Sequence, residues 1–205
     1  MQLASFFSRL LDAVLPRRDT ARIVAEATYE SLGALVNPHL VSERTTALLP
    51  YRHPLVRALV VEAKFNRNVH AQTLLGEVLA EYLDASQAET DALGPHIRVI
   101  VPIPLSSRRR RERGYNQVEE ILGAARLPFS TSLTRVRDTK PQTSLNRAAR
   151  LENMTGAFNA TGPIDTAATY IVIDDVMTTG ATLSAAAEAL RASGAADVYC
   201  IALAH

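Results

Sequence analysis

The second half of the chain contains short, continuous apolar runs that are rich in β-branched residues. Runs of this kind are typical of parallel strands buried on both faces, and they lie at residues 97–103, 170–174 and 198–204. An alanine-rich segment at residues 182–193 stops before Gly194 and predicts a helix between the last two strands. With a further helix over residues 116–126 and a strand over residues 129–136, this order predicts an α/β fold with a mostly parallel open sheet flanked by helices.

The first half of the chain has apolar positions at helical spacing. The pattern predicts helices over residues 19–36, 54–65 and 69–83. Residues 1–18 have the same spacing with charges at Arg9 and Asp12, which favours an amphipathic helix that docks on its own domain or a partner over one that lies on a membrane. We therefore expect a helical extension over residues 1–50 and a second domain over residues 51–205.

Composition narrows the class of protein. Cys200 is the sole cysteine in the sequence, so an internal disulfide and a cysteine zinc cluster are excluded, and the five histidines have no paired metal-ligand spacing. The formal net charge of +1 argues against binding nucleic acid by bulk electrostatics alone. No apolar stretch reaches the ~18 residues that a membrane span needs, so we expect a cytoplasmic protein without a metal site of its own.

Residues 171–183, IVIDDVMTTGATL, combine a buried strand, two adjacent carboxylates, a turn with hydroxyl side chains and the start of a helix. Ligands of open α/β sheets lie beyond the carboxyl ends of strands, which is where the pattern puts Asp174 and Asp175. A helix that begins near Thr182 offers unpaired backbone N–H groups to a phosphate, while carboxylates suit sugar hydroxyls. The run therefore predicts a pentose 5-phosphate site. The structural alternative is that the acids cap a turn and the threonines satisfy a helix end.

This run resembles the phosphoribosyl pyrophosphate (PRPP) signature of type I phosphoribosyltransferases. The resemblance implies that Asp174 and Asp175 hold the ribose 2- and 3-hydroxyls. It also implies that the following turn wraps the 5-phosphate through Thr178, Thr179, Gly180, Ala181 and Thr182. Purine-using members of that family carry an acidic general base where this chain has Thr178, so the resemblance does not indicate a purine acceptor.

Four further segments resemble ComF-like competence proteins: residues 51–65, 101–117, 135–158 and 193–205. This resemblance implies that residues 51–205 form a domain with the type I phosphoribosyltransferase fold, and that the protein has a link to DNA uptake. ComF-like proteins often begin with a cysteine zinc finger. The chain departs from that pattern, because it has no cysteine before Cys200.

An arginine-rich segment follows the strand that ends in Pro-Ile-Pro at residues 102–104. In the family fold this loop approaches the pyrophosphate, which makes five residues candidates to face it: Ser106, Ser107, Arg108, Arg109 and Arg113. Alternatively the arginines are a solvated run that leads into the next helix. Direct nucleic-acid binding is a further alternative, with weak support because Tyr115 is the one aromatic residue near the run in sequence.

A second polar and basic segment lies between residues 135 and 150. The resemblance implies a loop that closes over PRPP, in which Lys140 and Arg147 are catalytic candidates that neutralise the leaving pyrophosphate. Long polar loops of this kind are often active-site lids, although a surface loop held by local salt bridges is the alternative. Mg²⁺ is expected to arrive with PRPP, bound mainly to its oxygens and to water.

Three hypotheses on function follow. The first is an enzyme that transfers the phosphoribosyl group from PRPP to an unknown acceptor. The second is a PRPP- or nucleotide-sensing domain without turnover, in which Asp175→Asn abolishes ligand binding. The third is a protein-docking module of the DNA-uptake apparatus, which keeps its partner after that substitution.

Overall fold

A sheet of five strands with helices on both faces organises the molecule. The computed structural model describes residues 17–91, 97–137 and 154–205. The helices are α1 (Arg17–Ala25), α2 (Tyr29–Gly33), α3 (Pro54–Phe65), α4 (Val69–Asp91), α5 (Ser107–Arg113), α6 (Gln117–Ala124) and α7 (Ala181–Ala192). The strands are β1 (His39–Ser42), β2 (Thr45–Leu49), β3 (Arg98–Pro102), β4 (Leu133–Arg135), β5 (Phe158–Ala160), β6 (Thr169–Val176) and β7 (Asp197–Ala204).

The strand order in the main sheet is β1-β2-β7-β6-β3. The pairs β2–β7, β7–β6 and β6–β3 are parallel, and the edge strand β1 is antiparallel to β2. The parallel strands end at one edge of the sheet, because Pro102 of β3 lies beside Ile173 of β6 and Val176 of β6 beside Ala204 of β7. The prediction of an α/β fold with a mostly parallel sheet flanked by helices is confirmed, and the architecture is compatible with the type I phosphoribosyltransferase fold.

The two faces of the sheet bury different apolar clusters. Alternate residues of β6 and β7, such as Ile173 and Leu203, pack with α3, α4 and α6 on one face. The residues between them, such as Val172 and Ala202, pack with α7 on the other face. Since successive side chains of a strand point to opposite faces, each residue at the end of β6 belongs to one helical layer or the other.

The N-terminal fifty residues differ from the prediction of helices alone. Residues 39–49 form β1 and β2, so the helical prediction is wrong there, because pairing of β2 with β7 gives this β-branched stretch a backbone partner that is distant in sequence. The helix predicted over residues 19–36 is two helices, separated where Thr28 caps α2. The amphipathic helix predicted over residues 1–18 falls on residues 1–16, which lie outside the described residues, and stays a prediction there. The proposed boundary after residue 50 stays a prediction, although β2 shares the sheet with β7.

Three elements of the second half differ in extent from the prediction. The strand predicted over residues 129–136 is the short β4, which pairs with β5 in a separate two-stranded ribbon. The arginine-rich run forms α5, a helix that was not predicted, capped by Ser106 and ended by Gly114 in the left-handed conformation. Strand β6 continues to Val176, so both aspartates lie within it. None of the helices in the described ranges has the length and apolar character needed to cross a bilayer.

Candidate functional site

The predicted phosphate turn lies between β6 and α7, at the carboxyl edge of the sheet. The N–H of Met177 donates to the carbonyl of Ala204 at 2.9 Å, which ties the start of the turn to the end of β7. The Met177 side chain is buried in the cluster under α7. These contacts fix the start of the turn to the sheet and to the cluster under α7, and residues 178–180 lead from there into the helix.

A small cavity opens at this turn, with a volume of about 50 Å³. Since a water molecule needs about 10–15 Å³ on this measure, the space holds roughly four water-sized atoms, which is the size of a phosphate group. The cavity is lined by Asp174, Val176, Met177, Thr178, Thr179, Gly180, Ala181, Thr182 and Leu183. The structure therefore brings together Asp174 and all five predicted phosphate-turn residues around one cavity.

Backbone N–H groups at the start of α7 lack a side-chain cap. Gly180 is the N-cap residue in the left-handed conformation, with φ of 76°, and no side chain accepts a hydrogen bond at this helix end. Glycine suits this conformation because a Cβ there is strained. The hydroxyl Oγ1 of Thr179 is buried and has no hydrogen-bond partner. The Thr179 hydroxyl and the uncapped helix amides are hydrogen-bond donors at one cavity, an arrangement that suits an anion.

The two aspartates of β6 have different surroundings. Asp174 lines the cavity, and its Oδ1 accepts the N–H of Asp175 at 2.9 Å. Asp175 points to the opposite face, where its Oδ2 accepts from Lys64 Nζ of α3 at 2.6 Å and from Gln117 Nε2 of α6 at 3.0 Å. Its other oxygen accepts the N–H of Val176 at 2.9 Å. Asp175 is thus a buried carboxylate held by hydrogen bonds, while Asp174 faces the cavity.

These surroundings drive the two pKa values in opposite directions. Burial, together with the neighbouring charge of Asp175, raises the pKa of Asp174 to about 7. Burial would also raise the pKa of Asp175, but the charge and hydrogen bond of Lys64 outweigh it, with a smaller contribution from Arg113, so this pKa lies below its usual value. At neutral pH the pair therefore holds one firmly ionised carboxylate and one that titrates.

The candidate pyrophosphate residues fall into separate positions around α5. Ser106 is buried and caps α5 by accepting the N–H of Arg109 at 3.3 Å, whereas Ser107 is exposed. Arg108 pairs with Glu112 at 2.8 Å on the exposed surface. Arg113 donates to Gln117 Oε1 and stacks its guanidinium over Phe65 at 5.4 Å. Arg113 thus joins the group around Asp175, while none of the five residues lines the cavity.

The predicted catalytic residues Lys140 and Arg147 lie outside the described residues. The segment that contains them is preceded by β4 and followed by β5, and these strands pair antiparallel, with Arg135 opposite Phe158. Their proposed role stays a prediction.

Sequence reasoning did not find the role of Lys64, which supplies the closest charge to Asp175. Two features of the sequence single out this residue: it is one of two lysines in the chain, and it lies in residues 51–65, which resemble ComF-like proteins. Within the described ranges, His, Cys, Asp and Glu do not gather in groups of three or more that could hold a metal ion. Asp175 is already engaged by Lys64 and Gln117, and the expectation that Mg²⁺ arrives with PRPP stays a prediction.

Three known proteins show what the chain resembles. It is 32% identical over 168 residues to DNA utilization protein YhgH of Salmonella typhimurium, and 30% identical over 167 residues to DNA utilization protein YhgH of Escherichia coli K12; each match covers 78% of this chain and 71% of the relative. It is 36% identical over 103 residues to competence protein ComFC of Streptococcus pneumoniae, covering 50% of this chain and 46% of that protein. No protein-family model matches the chain.

Proposed function

The chain belongs to the ComF-like family that includes DNA utilization protein YhgH and competence protein ComFC, and from this premise we propose that it binds the 5-phosphoribosyl group of PRPP in a process linked to DNA uptake. The 5-phosphate lies at the amino end of α7, and the ribose hydroxyls reach back to the carboxyl end of β6. A cytoplasmic location fits the buried, unpaired Cys200. The link to DNA uptake rests on the names of the relatives.

A single observation carries the ligand proposal: the cavity at the start of α7 has uncapped helix amides and the buried, unpartnered hydroxyl of Thr179, and it adjoins the carboxylate of Asp174. Amides and a hydroxyl donate hydrogen bonds, which suits phosphate oxygens. The carboxylate of Asp174 accepts hydrogen bonds, which suits sugar hydroxyls. A ligand with phosphate at one end and a diol at the other satisfies both, and ribose 5-phosphate has this arrangement.

The proposed reaction breaks the bond between ribose C1 and the pyrophosphate oxygen while a nucleophile of unknown identity attacks C1. Mg²⁺, bound to PRPP oxygens, supplies charge neutralisation for the pyrophosphate that leaves. The chain's own contribution is positioning: the turn holds the phosphate, and Asp174 orients the ribose. An inactive sensor and a docking module remain the alternatives, since the described residues do not include the predicted catalytic candidates.

Isothermal titration calorimetry with ribose 5-phosphate tests the site. Thr179→Val removes the unpartnered hydroxyl and keeps the side-chain shape, so affinity is expected to fall about tenfold or more, because a hydrogen bond to a charged group is worth about 1.5–3 kcal/mol. Thr166→Val is the matched control, since Thr166 is exposed and precedes the amino end of β6, opposite the cavity. Equal affinity of wild type and Thr179→Val would refute the placement of the phosphate.

Titration with PRPP, with and without Mg²⁺, then separates the functional classes. An enzyme releases pyrophosphate when PRPP, Mg²⁺ and an acceptor base or amine are supplied. A sensor binds PRPP and releases none with any acceptor. A docking module binds neither ligand and keeps its protein partner when Asp174 is replaced by Asn.

A further inference from the structure

The two acids at the end of β6 do not share one task. We propose that Lys64 is a positioning residue that holds Asp175 as a buried internal counter-ion, so that Asp174 is the carboxylate that contacts the ribose hydroxyls. This inference rests on the proposed function, because it assigns roles within the same site. It departs from the expectation that both acids bind the diol.

The hydrogen bonds of Asp175 leave it little capacity for a ligand. Its two oxygens accept hydrogen bonds from Lys64, Gln117 and the Val176 N–H. A carboxylate has about four lone-pair positions, so three of them are occupied. The Asp175 side chain is only 6% exposed. Asp174 accepts the N–H of Asp175, and it lines the cavity. A ribose hydroxyl therefore meets an available acceptor at Asp174.

Lys64 is placed to control the charge of the pair. It lies in the last turn of α3, and its ammonium is 2.6 Å from Asp175 on the face opposite the cavity. The Lys64 side chain is 26% exposed, so its ammonium keeps part of its contact with water and its charge costs less than that of a fully buried group. Two carboxylates in adjacent positions repel, and an ammonium bound to one of them lowers the cost of ionising the other.

Other charged and titratable groups face the pair from the surrounding elements. Arg113 of α5 acts on the charge of Asp175 and bonds Gln117 of α6, which in turn donates to Asp175. Burial raises the pKa of Tyr51, which lies between β2 and α3, and the negative charge of Asp175 raises it further. Lys64 makes the direct ion pair, so its removal is expected to affect the carboxylates most strongly.

The first experiment compares Asp174→Asn with Asp175→Asn by calorimetry with ribose 5-phosphate at pH 7.5. Asp174→Asn is expected to weaken binding at least tenfold more than Asp175→Asn does, because a lost charge-assisted acceptor is worth about a factor of ten or more. Inorganic phosphate is the internal control: it has no diol, and Asp174→Asn removes a negative charge from the cavity lining, so this variant is expected to bind inorganic phosphate at least as tightly as the wild type. Equal losses for the two variants would overturn the division of roles.

The second experiment follows the carboxyl carbon of Asp174 by ¹³C NMR as a function of pH, without ligand. Lys64→Met is expected to raise the titration midpoint of Asp174, and Lys64→Arg is expected to return it towards the wild-type value. A purely structural role of Lys64 would change thermal stability without moving this midpoint. An unchanged midpoint in folded Lys64→Met would overturn the proposal.

A double variant covers the case in which Lys64→Met folds poorly. Asp175→Asn in the Lys64→Met background removes the unpaired buried carboxylate and is expected to restore both folding and ribose 5-phosphate binding. Failure of the double variant to recover either property would refute the pairing. The proposed function has its own test, and it would be refuted if wild type and Thr179→Val bound ribose 5-phosphate with equal affinity. The role of Lys64 is tested independently, because the NMR titration midpoint of Asp174 is measured without ligand.

Discussion

Replacing Asp174 with Asn is expected to make the ligand-free protein more stable at neutral and higher pH. The partly buried position of Asp174, beside Asp175, favours its protonated form, and the folded protein must ionise it as pH rises. Asn keeps the side-chain shape and an oxygen that can accept the N–H of Asp175. The variant therefore removes a charge without removing the local hydrogen bond.

The pKa of Asp174 sets the size and the pH range of this effect. A carboxyl whose pKa is raised from 3.8 to about 7 on folding costs nothing well below pH 3.8, where both states bind the proton. The cost grows as pH rises from about 4 to about 7 and is constant above, with an upper limit of about 4 kcal/mol. Asp174 is partly exposed, so solvent screens part of this cost and we expect a gain of about 2 kcal/mol at pH 8.

Thermal unfolding followed by circular dichroism at pH 4 and pH 8 tests this reasoning. At pH 8 the variant is expected to unfold about 4–8 °C above the wild type, since 1 kcal/mol shifts Tm by about 2–4 °C in a chain of this length. At pH 4 the two curves are expected to nearly coincide. Asp84→Asn is the control, because Asp84 is exposed. A gain that is equal at both pH values, or absent at pH 8, would refute the account of Asp174.

Four further substitutions test other parts of the structure. Gly76→Ala is expected to lower the free energy of unfolding by about 1–3 kcal/mol, because a Cβ there would lie 2.8 Å from the Ile121 carbonyl oxygen. Gly123→Ala on α6 is the control, since a Cβ there meets nothing within 4 Å, and it is expected to raise the free energy of unfolding by up to about 1 kcal/mol. Chemical denaturation measures both changes. Asn116→Ala is expected to cost about 2 kcal/mol in the same assay, because Asn116 caps α6 and donates to the Ile103 carbonyl at 3.0 Å. Arg109→Ala is expected to weaken PRPP binding in calorimetry while leaving ribose 5-phosphate binding unchanged, if α5 faces the pyrophosphate; equal effects on both ligands would contradict that placement.

The turn between β6 and α7 could be predicted because its determinants are local. Thirteen consecutive residues specify a buried strand, a glycine in the left-handed conformation and a helix start, and the structure places the phosphate-turn residues around one cavity. The parallel sheet could be predicted in the same way, because its strands β3, β6 and β7 are continuous apolar runs in the sequence. These patterns depend on neighbours in sequence, so no tertiary contact was needed to recognise them.

Two features depend on contacts between distant residues, and the sequence pattern did not reveal them. The ion pair of Lys64 and Asp175 joins residues that are 111 positions apart. Strand β2 forms through its pairing with β7, for example of Ala47 with Ala202, so the prediction of a helical extension over residues 1–50 did not include the strands at residues 39–49. The strand was predicted to end at Asp174, whereas β6 continues through Asp175, which faces the helices α3 and α6.

The extension of β6 through both acids explains why they differ chemically. If the strand ended before Asp174, both side chains would lie in a loop, free to turn towards the same ligand. Because the strand continues to Val176, alternation sends Asp174 to the side of α7 and Asp175 to the side of α3 and α6. The partners of Asp175 then come from Lys64 and Gln117, in elements that precede β6 in the chain. The side of the site that carries Asp174 is thereby built by the local turn between β6 and α7. The charge of Asp175 is set by residues that pack on the opposite face of the sheet.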